Sequence, residues 1–556
     1  MKSALRKSFF IGSICFFGFL LGALFANRID EESITIGVVD QAAKLLGIKF
    51  TPAESDSMLV ELENQRRSIQ ELQKLNLDNA VSPALNFNPI PVGYQFPDRT
   101  DGFSFGNLAP VALPSNKDEL AFYSIRQLAE LIKTKKISSV ELTRFFIERL
   151  KKYRPQLLNV VSFTEERAFA QAAKADAEIK AGKYRGVLHG IPFGVKDLLA
   201  AKGYKTTWGS VPYQNQVIDV DATVVSRLEA AGAVLVAKMT LGELAMGDVW
   251  FGGKTRNPWD LSRGSSGSSA GSASAVSAGC LPFAIGSETL GSIVSPSTEC
   301  GVTGLRPTFG RVPKFGAMAL SWSMDKLGPI TRSVEDCALV FQAIKGTDGK
   351  DLSAIDAPFN YDGKKSVKGM KIGYLASDFN RKYPNKLNDS LTLVKLKELG
   401  AELVPIELPA LPYTAMRLIL SAECGAAFQE LVLSGKDDLL VRQTKNAWPN
   451  TFRAAQFIPA GAYINANRAR ALLIQQLNEK LKGLDLYISP AFGQNLTTTN
   501  LSGHPSVVLP NGFNARGLPA SITFMGTLFG EGKLLQAAQA YQQATDFHKK
   551  HPSLKF

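Results

Sequence analysis

Residues Arg263 to Gly279 read RGSSGSSAGSASAVSAG, and the chain runs on at once through Cys280-Leu-Pro-Phe-Ala-Ile285 into Gly286-Ser-Glu-Thr-Leu-Gly-Ser-Ile293. A Gly/Ser tract ordinarily reads as a flexible linker. Here that reading fits poorly, because Ala273–Ala278 and the apolar residues behind them follow with no charged residue to solvate the segment. A phosphate cradle fits no better: GxxxxGK[ST] is missing, and no GxGxxG follows a strand. The remaining reading is a backbone built to close around a reacting carbonyl. Small residues let main-chain N–H groups approach a substrate, and serine supplies a nucleophile.

Outward from this tract, short apolar strands (Ile191–Val195, Val234–Ala237, Met370–Tyr374, Leu484–Ile488) alternate with helical segments such as Ala222–Ala231. Before them, Ser124…Gln127 and Ser138…Glu141 are capping boxes followed by amphipathic runs, and Thr164 to Ala181 is an Ala-rich helix. Such alternation predicts an α/β domain, a substantial sheet covered by helices. Ser57–Leu77 has helical periodicity, and the Pro-punctuated stretch 79–97 reads as an extended strap over a globular body. No linker divides residues 116–556, and Lys345–Lys368, rich in Asp, Gly and Lys, reads as a surface excursion.

The chain has 556 residues, 45% hydrophobic and 20% charged, which is globular rather than disordered. Its net charge of +13 suits an anionic surface or an exported protein. No basic patch with interleaved aromatics is visible, so no nucleic-acid partner is expected. Five cysteines without a CxxC pair argue against a zinc ribbon, an iron–sulfur site or a disulfide scaffold. At the N-terminus Lys2, Arg6 and Lys7 precede the uncharged run Phe9–Ala26. That pattern predicts residues 1–26 to be a signal peptide or a membrane anchor, and an exported protein: periplasmic, secreted or anchored facing outside the cytoplasm.

A serine nucleophile needs a base near neutral pH. Only four histidines exist, and His548 and His551 lie in the charged tail. His189 and His504 have no evident acidic partner in their sequence context and read as structural. Lysine can serve instead if burial lowers its pKa, since desolvation disfavours the ammonium form. Lys196 follows the apolar run Ile191–Val195, with Asp197 beside it, and is the obvious choice.

These residues form an ordered set that resembles the amidase signature family. Gly194-Val-Lys-Asp197, Gly267-Ser-Ser-Ala-Gly-Ser272 and Gly286–Ile293 are followed by Cys300–Pro307, Gly310-Arg-Val312 and Ser323–Pro329, and later by Ser502–Ser506 and Pro510–Phe513. The resemblance covers about residues 116–556. It implies a single large catalytic domain with a mixed central sheet wrapped by helices, preceded by a helical and extended segment over residues 27–115. It also implies a Ser–cis-Ser–Lys triad in which Ser292 is the nucleophile, Ser268 the bridging serine and Lys196 the base. Thr289, Leu290, Gly291 and Ser269 correspond to the oxyanion and substrate-binding positions. No metal or organic cofactor is required.

The implied activity is hydrolysis of a small-molecule carboxamide through an acyl-serine, releasing ammonia or an amine. Two alternatives are the amidase subunit of a tRNA-dependent amidotransferase, against which the exported N-terminus argues, and an inactive amidase-fold binding protein. A homodimer and membrane attachment through residues 9–26 are open expectations. The sequence departs from the family pattern at Leu290 and Ala270, where Gly is usual, at Glu288 in place of Asp, and at Val294, where many members carry Arg. Loop Leu244–Phe251 with Trp208, Met318 and Trp322 is a candidate acyl-pocket wall.

Overall fold

Thr51-Pro-Ala-Glu54 spells a helix start: a hydroxyl to cap, a proline at the first turn and a glutamate three residues on. In the computed structural model, which describes residues 33–74, 78–81, 85–96 and 101–554, the Glu54 carboxylate accepts the Thr51 N–H at 2.7 Å. The helix it opens, Pro52–Gln73 (α2), follows Ile36–Leu46 (α1). It starts ahead of Ser57 because capping, not apolar periodicity, sets its beginning. Described residues up to Asp78 and those from Asn79 onward form two compact units. The apolar run Phe9–Ala26 lies outside the described residues.

In the second unit, Ser124 and Ser138 both close their capping boxes and open Ile125–Lys133 (α3) and Ser139–Leu157 (α4). Helix Glu165–Lys180 (α5) follows. The centre is a mixed sheet that has eleven strands among the described residues. In chain order these are Val160–Phe163 (β1), Pro192–Lys196 (β2), Val234–Met239 (β3), Phe283–Glu288 (β4), Thr303–Arg306 (β5), Lys326–Thr331 (β6), Lys371–Leu375 (β7), Glu402–Ile406 (β8), Leu486–Pro490 (β9), Ser506–Phe513 (β10) and Pro519–Gly526 (β11). Their spatial order is β8-β7-β9-β11-β10-β5-β6-β4-β2-β3-β1. Strand β2 runs parallel to both β3 and β4, whereas β6 is antiparallel to β4. The carboxyl ends of β2 and β4 and the amino end of β6 therefore meet at one edge. Lys196 and Glu288, from two of the sequence motifs, stand at that edge.

Strands β2, β3, β4 and β6 are buried along their whole length, which is why they read as apolar or small runs without alternation. The helices Ala270–Ser277 (α6), Val294–Cys300 (α7) and Gln494–Ser502 (α8) carry or flank the remaining motif residues. The strap residues pack on this unit. The Asn79 side chain accepts from the Ala319 N–H (2.7 Å) and donates to its carbonyl (2.8 Å), and the Tyr94 hydroxyl donates to the Leu528 carbonyl at 2.6 Å. Lys345–Lys368 is more embedded than a surface excursion. Phe359 and Tyr361 are buried, and Asn360–Asp362 pairs with Gly102–Ser104.

Candidate active site

Val195 of β2 faces Ile285 of β4, so the next residue, Lys196, comes level with Gly286 and Ser287 at the shared edge. Lys196 is fully buried. Its amine meets three hydroxyls: Ser268 Oγ at 2.7 Å, Ser287 Oγ at 2.8 Å and Ser269 Oγ at 3.2 Å. The Gly267–Ser268 peptide is cis. Gly267 is needed there, because a Cβ would collide with the Gly247 carbonyl oxygen. Loop Leu244–Phe251 thus packs against the Gly/Ser tract.

Burial lowers the Lys196 pKa to about 7, while the negative charges of Asp325 and Glu288 pull the other way. The neighbouring Asp197 does not neutralise it. Successive strand residues point to opposite faces, and the Asp197 carboxylate pairs instead with buried Lys238 at 2.7 Å. Both histidines are engaged elsewhere. His189 lies 3.1 Å from Glu178, and His504 is hydrogen-bonded to Ser502 at 2.8 Å. Burial, with Arg306 nearby, pushes the His504 pKa down to about 3.

A neutral lysine amine has two N–H bonds and one lone pair. The Ser269 hydroxyl donates to the Ser287 carbonyl at 3.1 Å, so it can only accept from Lys196. The lone pair must then face Ser268 or Ser287. If Ser287 takes the second N–H, the lone pair is left for Ser268. Sequence reasoning assigned no role to Ser287; only the β2–β4 register brings it beside Lys196. Ser269, taken from the resemblance as a substrate-binding position, directs its hydroxyl inward to the lysine. Its N–H donates to the Ser292 carbonyl at 3.2 Å, which ties the start of α6 to the loop before α7.

That loop, Thr289–Ile293, is held as a ring by Glu288. One Glu288 oxygen accepts the N–H groups of Ile293 (2.8 Å) and Val294 (2.9 Å), and the other takes Arg306 (2.6 Å) and Asn500 (2.8 Å). Burial opposes the Glu288 charge, but Arg306 and these donors outweigh it and bring its pKa down to about 2. Gly291 has φ of 93°, and a Cβ there would stand 3.1 Å from Leu496 of α8. Among the described residues, the N–H groups of Leu290, Gly291 and Ser292 have no protein acceptor, so they are open to a ligand oxygen. Ser292 is half-buried, whereas Ser268 is fully buried. Thr289 directs its hydroxyl away from this opening to Asp325 at 2.5 Å.

Trp208 and Met318 belong to the main apolar core, and Trp322 is half-buried. A cleft of about 480 Å³ is lined by Leu375, Ser377, Asp378, Glu407 and Gln494 rather than by the serines. Its Gln494 opens α8, the helix whose Leu496 packs near Gly291. Among the described residues no group of three or more His, Cys, Asp or Glu could hold a metal ion.

Residues 141–499 match the amidase family model. The chain belongs to the amidase family. Within this amidase-signature group, a curated relative from Marinomonas sp. (strain MWYL1), a subunit of glutamyl-tRNA(Gln) amidotransferase, is 35% identical over 480 residues, 78% of this chain and 98% of that protein. The peptide amidase of Stenotrophomonas maltophilia is 30% identical with a TM-score of 0.69, over 77% of this chain and 98% of that one. The corresponding glutamyl-tRNA(Gln) amidotransferase subunit of Thermotoga maritima is 27% identical with a TM-score of 0.66, over 81% and 100%. The fold expected from the resemblance, one large mixed α/β amidase domain, is the fold observed.

The expectation of an exported protein is corrected here. The curated relatives are subunits of a glutamyl-tRNA(Gln) amidotransferase, an enzyme of charged tRNA, and their match extends over 98–99% of their length. Among the described residues no helix is long and apolar enough to cross a membrane. Three cations before an apolar run are a weak signal by themselves. The relationship carried by the other four-fifths of the chain outweighs it.

Removal of the Ser287 hydroxyl tests its place in the lysine cluster. Ser287→Ala is expected to lower kcat about ten-fold, the worth of one hydrogen bond to a chargeable amine of roughly 1.5 kcal/mol, with KM little changed. Steady-state kinetics of amide hydrolysis check it.

Proposed function

We propose that this amidase hydrolyses a primary carboxamide through an acyl-Ser292 intermediate and releases ammonia. Neutral Lys196 takes the Ser268 proton as Ser268 takes the Ser292 proton, and the Ser292 oxygen attacks the amide carbon. The developing oxyanion is received by the N–H groups of Leu290, Gly291 and Ser292. The proton returns through Ser268 to the amide nitrogen, the carbon–nitrogen bond breaks, and ammonia leaves. Water then attacks the acyl-serine by the same relay and regenerates the hydroxyl. The observation that carries this reading is a fully buried lysine bonded only to hydroxyls beside a loop of unclaimed N–H groups.

Two forms of this chemistry have support. The relatives named as amidotransferase subunits favour a glutamine-type amide whose ammonia passes to a partner. The likeness to a peptide amidase, 30% identical over 77% of this chain, favours a peptide amide split without one. Both release ammonia from a primary amide. They separate in a panel of glutamine, asparagine and C-terminal peptide amides, each assayed for ammonia, and aryl acylamides assayed for the released arylamine, all beside Ser292→Ala. Turnover of glutamine together with co-purification of a second subunit would support the first form, and turnover of peptide amides by the chain alone the second. If Ser292→Ala matches wild type on every active substrate, the acyl-serine reading fails. If wild type turns over no amide and resists fluorophosphonate labelling, the chain is a binding protein on an amidase fold.

A further inference from the structure

We propose that Asp325 is a positioning residue for this reaction, one that holds the Thr289 corner of the oxyanion loop and lends the Lys196 amine a nearby negative charge. The proposal rests on the acyl-Ser292 reading. Lys326, the first residue of β6, lies opposite Glu288, the last of β4, so Asp325 stands beside Thr289 at the edge where β2 and β4 end. One Asp325 oxygen accepts the Thr289 hydroxyl at 2.5 Å; the other accepts the N–H groups of Leu320 (2.8 Å) and Ser321 (3.0 Å). The carboxylate thus joins the turn Leu320–Asp325 to the oxyanion loop.

The turn is itself clamped from outside. Ser321 and Ser323 donate to Glu423 at 2.7 and 2.6 Å, and Arg470 donates to the Ser323 hydroxyl at 2.8 Å. Asp325 therefore has little freedom to follow a moving Thr289.

Its charge has no close ion-pair partner among the described residues, whereas Glu288 is paired with Arg306 at 2.6 Å. Lys314 nonetheless acts on Asp325 and works to lower its pKa. Lys326 and Arg306 face the same cluster, and burial holds the Lys326 pKa well below the usual lysine range. Burial raises the Asp325 pKa, against hydrogen bonds from Thr289 and the turn. After burial itself, Asp325 has the largest effect on the Lys196 pKa, and it acts upward.

Two variants separate the two duties. Asp325→Asn is nearly isosteric: its amide oxygen can keep both backbone N–H groups and its NH2 can face the Thr289 oxygen, while the charge is gone. Lys196 then loses its proton more easily. The acid limb of the kcat/KM profile is expected to move to lower pH, by roughly half a unit to one unit. Thr289→Val keeps the charge and removes the tie. It is expected to lower kcat about ten-fold and leave the limb in place. An unmoved limb in Asp325→Asn overturns the charge duty, and wild-type kcat in Thr289→Val overturns the positioning duty. If Asp325→Asn does not fold, Asp325→Glu serves in its place: charge kept and carboxylate displaced, it should lower kcat without moving the limb. A moved limb there counts against the proposal. Ser292→Ala assayed alongside tells the cases apart, because a fully active Ser292→Ala sinks the acyl-serine reading itself.

Discussion

Ser292→Ala is expected to lower kcat for amide hydrolysis by about 100,000-fold or more, the scale seen when an acyl-forming serine is removed. No neighbouring hydroxyl is placed to substitute. Ser268 is buried against Lys196, Ser269 is committed to the lysine and the Ser287 carbonyl, and Ser287 faces the amine. The loop should survive the change, since Glu288, Arg306 and Asn500 hold it without using the Ser292 hydroxyl. A half-buried hydroxyl that stabilises nothing else can be removed with little change in Tm, within about 2 °C. The pair of readings is diagnostic: activity gone, fold intact. Fluorophosphonate labelling should disappear in the same variant. Equal turnover by wild type and Ser292→Ala would refute the assignment of the nucleophile.

The residues proposed for this chemistry were legible to different depths. Local signals held wherever a side chain meets its own backbone: the capping boxes at Ser124 and Ser138 open helices as their spacing predicts. Ordered motifs held too, and they delivered the fold class and family. Pairing across the sheet was not legible. Strands β4, β6, β10 and β11 are buried on nearly every residue, so they show no two-residue alternation, and Pro510 and Gly512 interrupt the pattern of β10. Ser287 and Asp325 escaped for the same reason. Their importance comes from register, β4 against β2 and β6 against β4, and register between distant segments leaves no mark in either segment alone. The charge before Phe9 misled in the opposite way. The expectation of export drawn from that short pattern is overturned by relatives matched over 78% of the chain.

Lys196→Met should abolish activity and yet improve relative stability as pH falls, a combination that a structural lysine would not give. The side chain keeps its length and apolar stem and loses only the amine, so the relay has no base; kcat is expected to drop at least 1,000-fold. In wild type the base must be neutral, and burial sets its pKa at about 7. Activity should therefore rise with pH through that region and level off above it. The linkage sign follows from the same number. In the unfolded chain this lysine keeps its proton up to about 10.5, whereas the folded protein gives it up near 7. Between those values the unfolded state binds more protons, so folding is penalised increasingly as pH falls from 10.5, and the penalty is complete below 7. Methionine carries no such penalty at any pH. Its replacement does strand the Ser268 and Ser287 hydroxyls, at about 1 kcal/mol or more each, while Ser269 keeps its bonds to the Ser287 backbone; that loss does not vary with pH. The stability of Lys196→Met relative to wild type should consequently improve by a few kcal/mol between pH 10 and pH 7. Urea unfolding at a series of pH values measures it. A difference that stays flat across that range would mean the amine is charged in the folded protein throughout, and a charged amine cannot take a proton from Ser268.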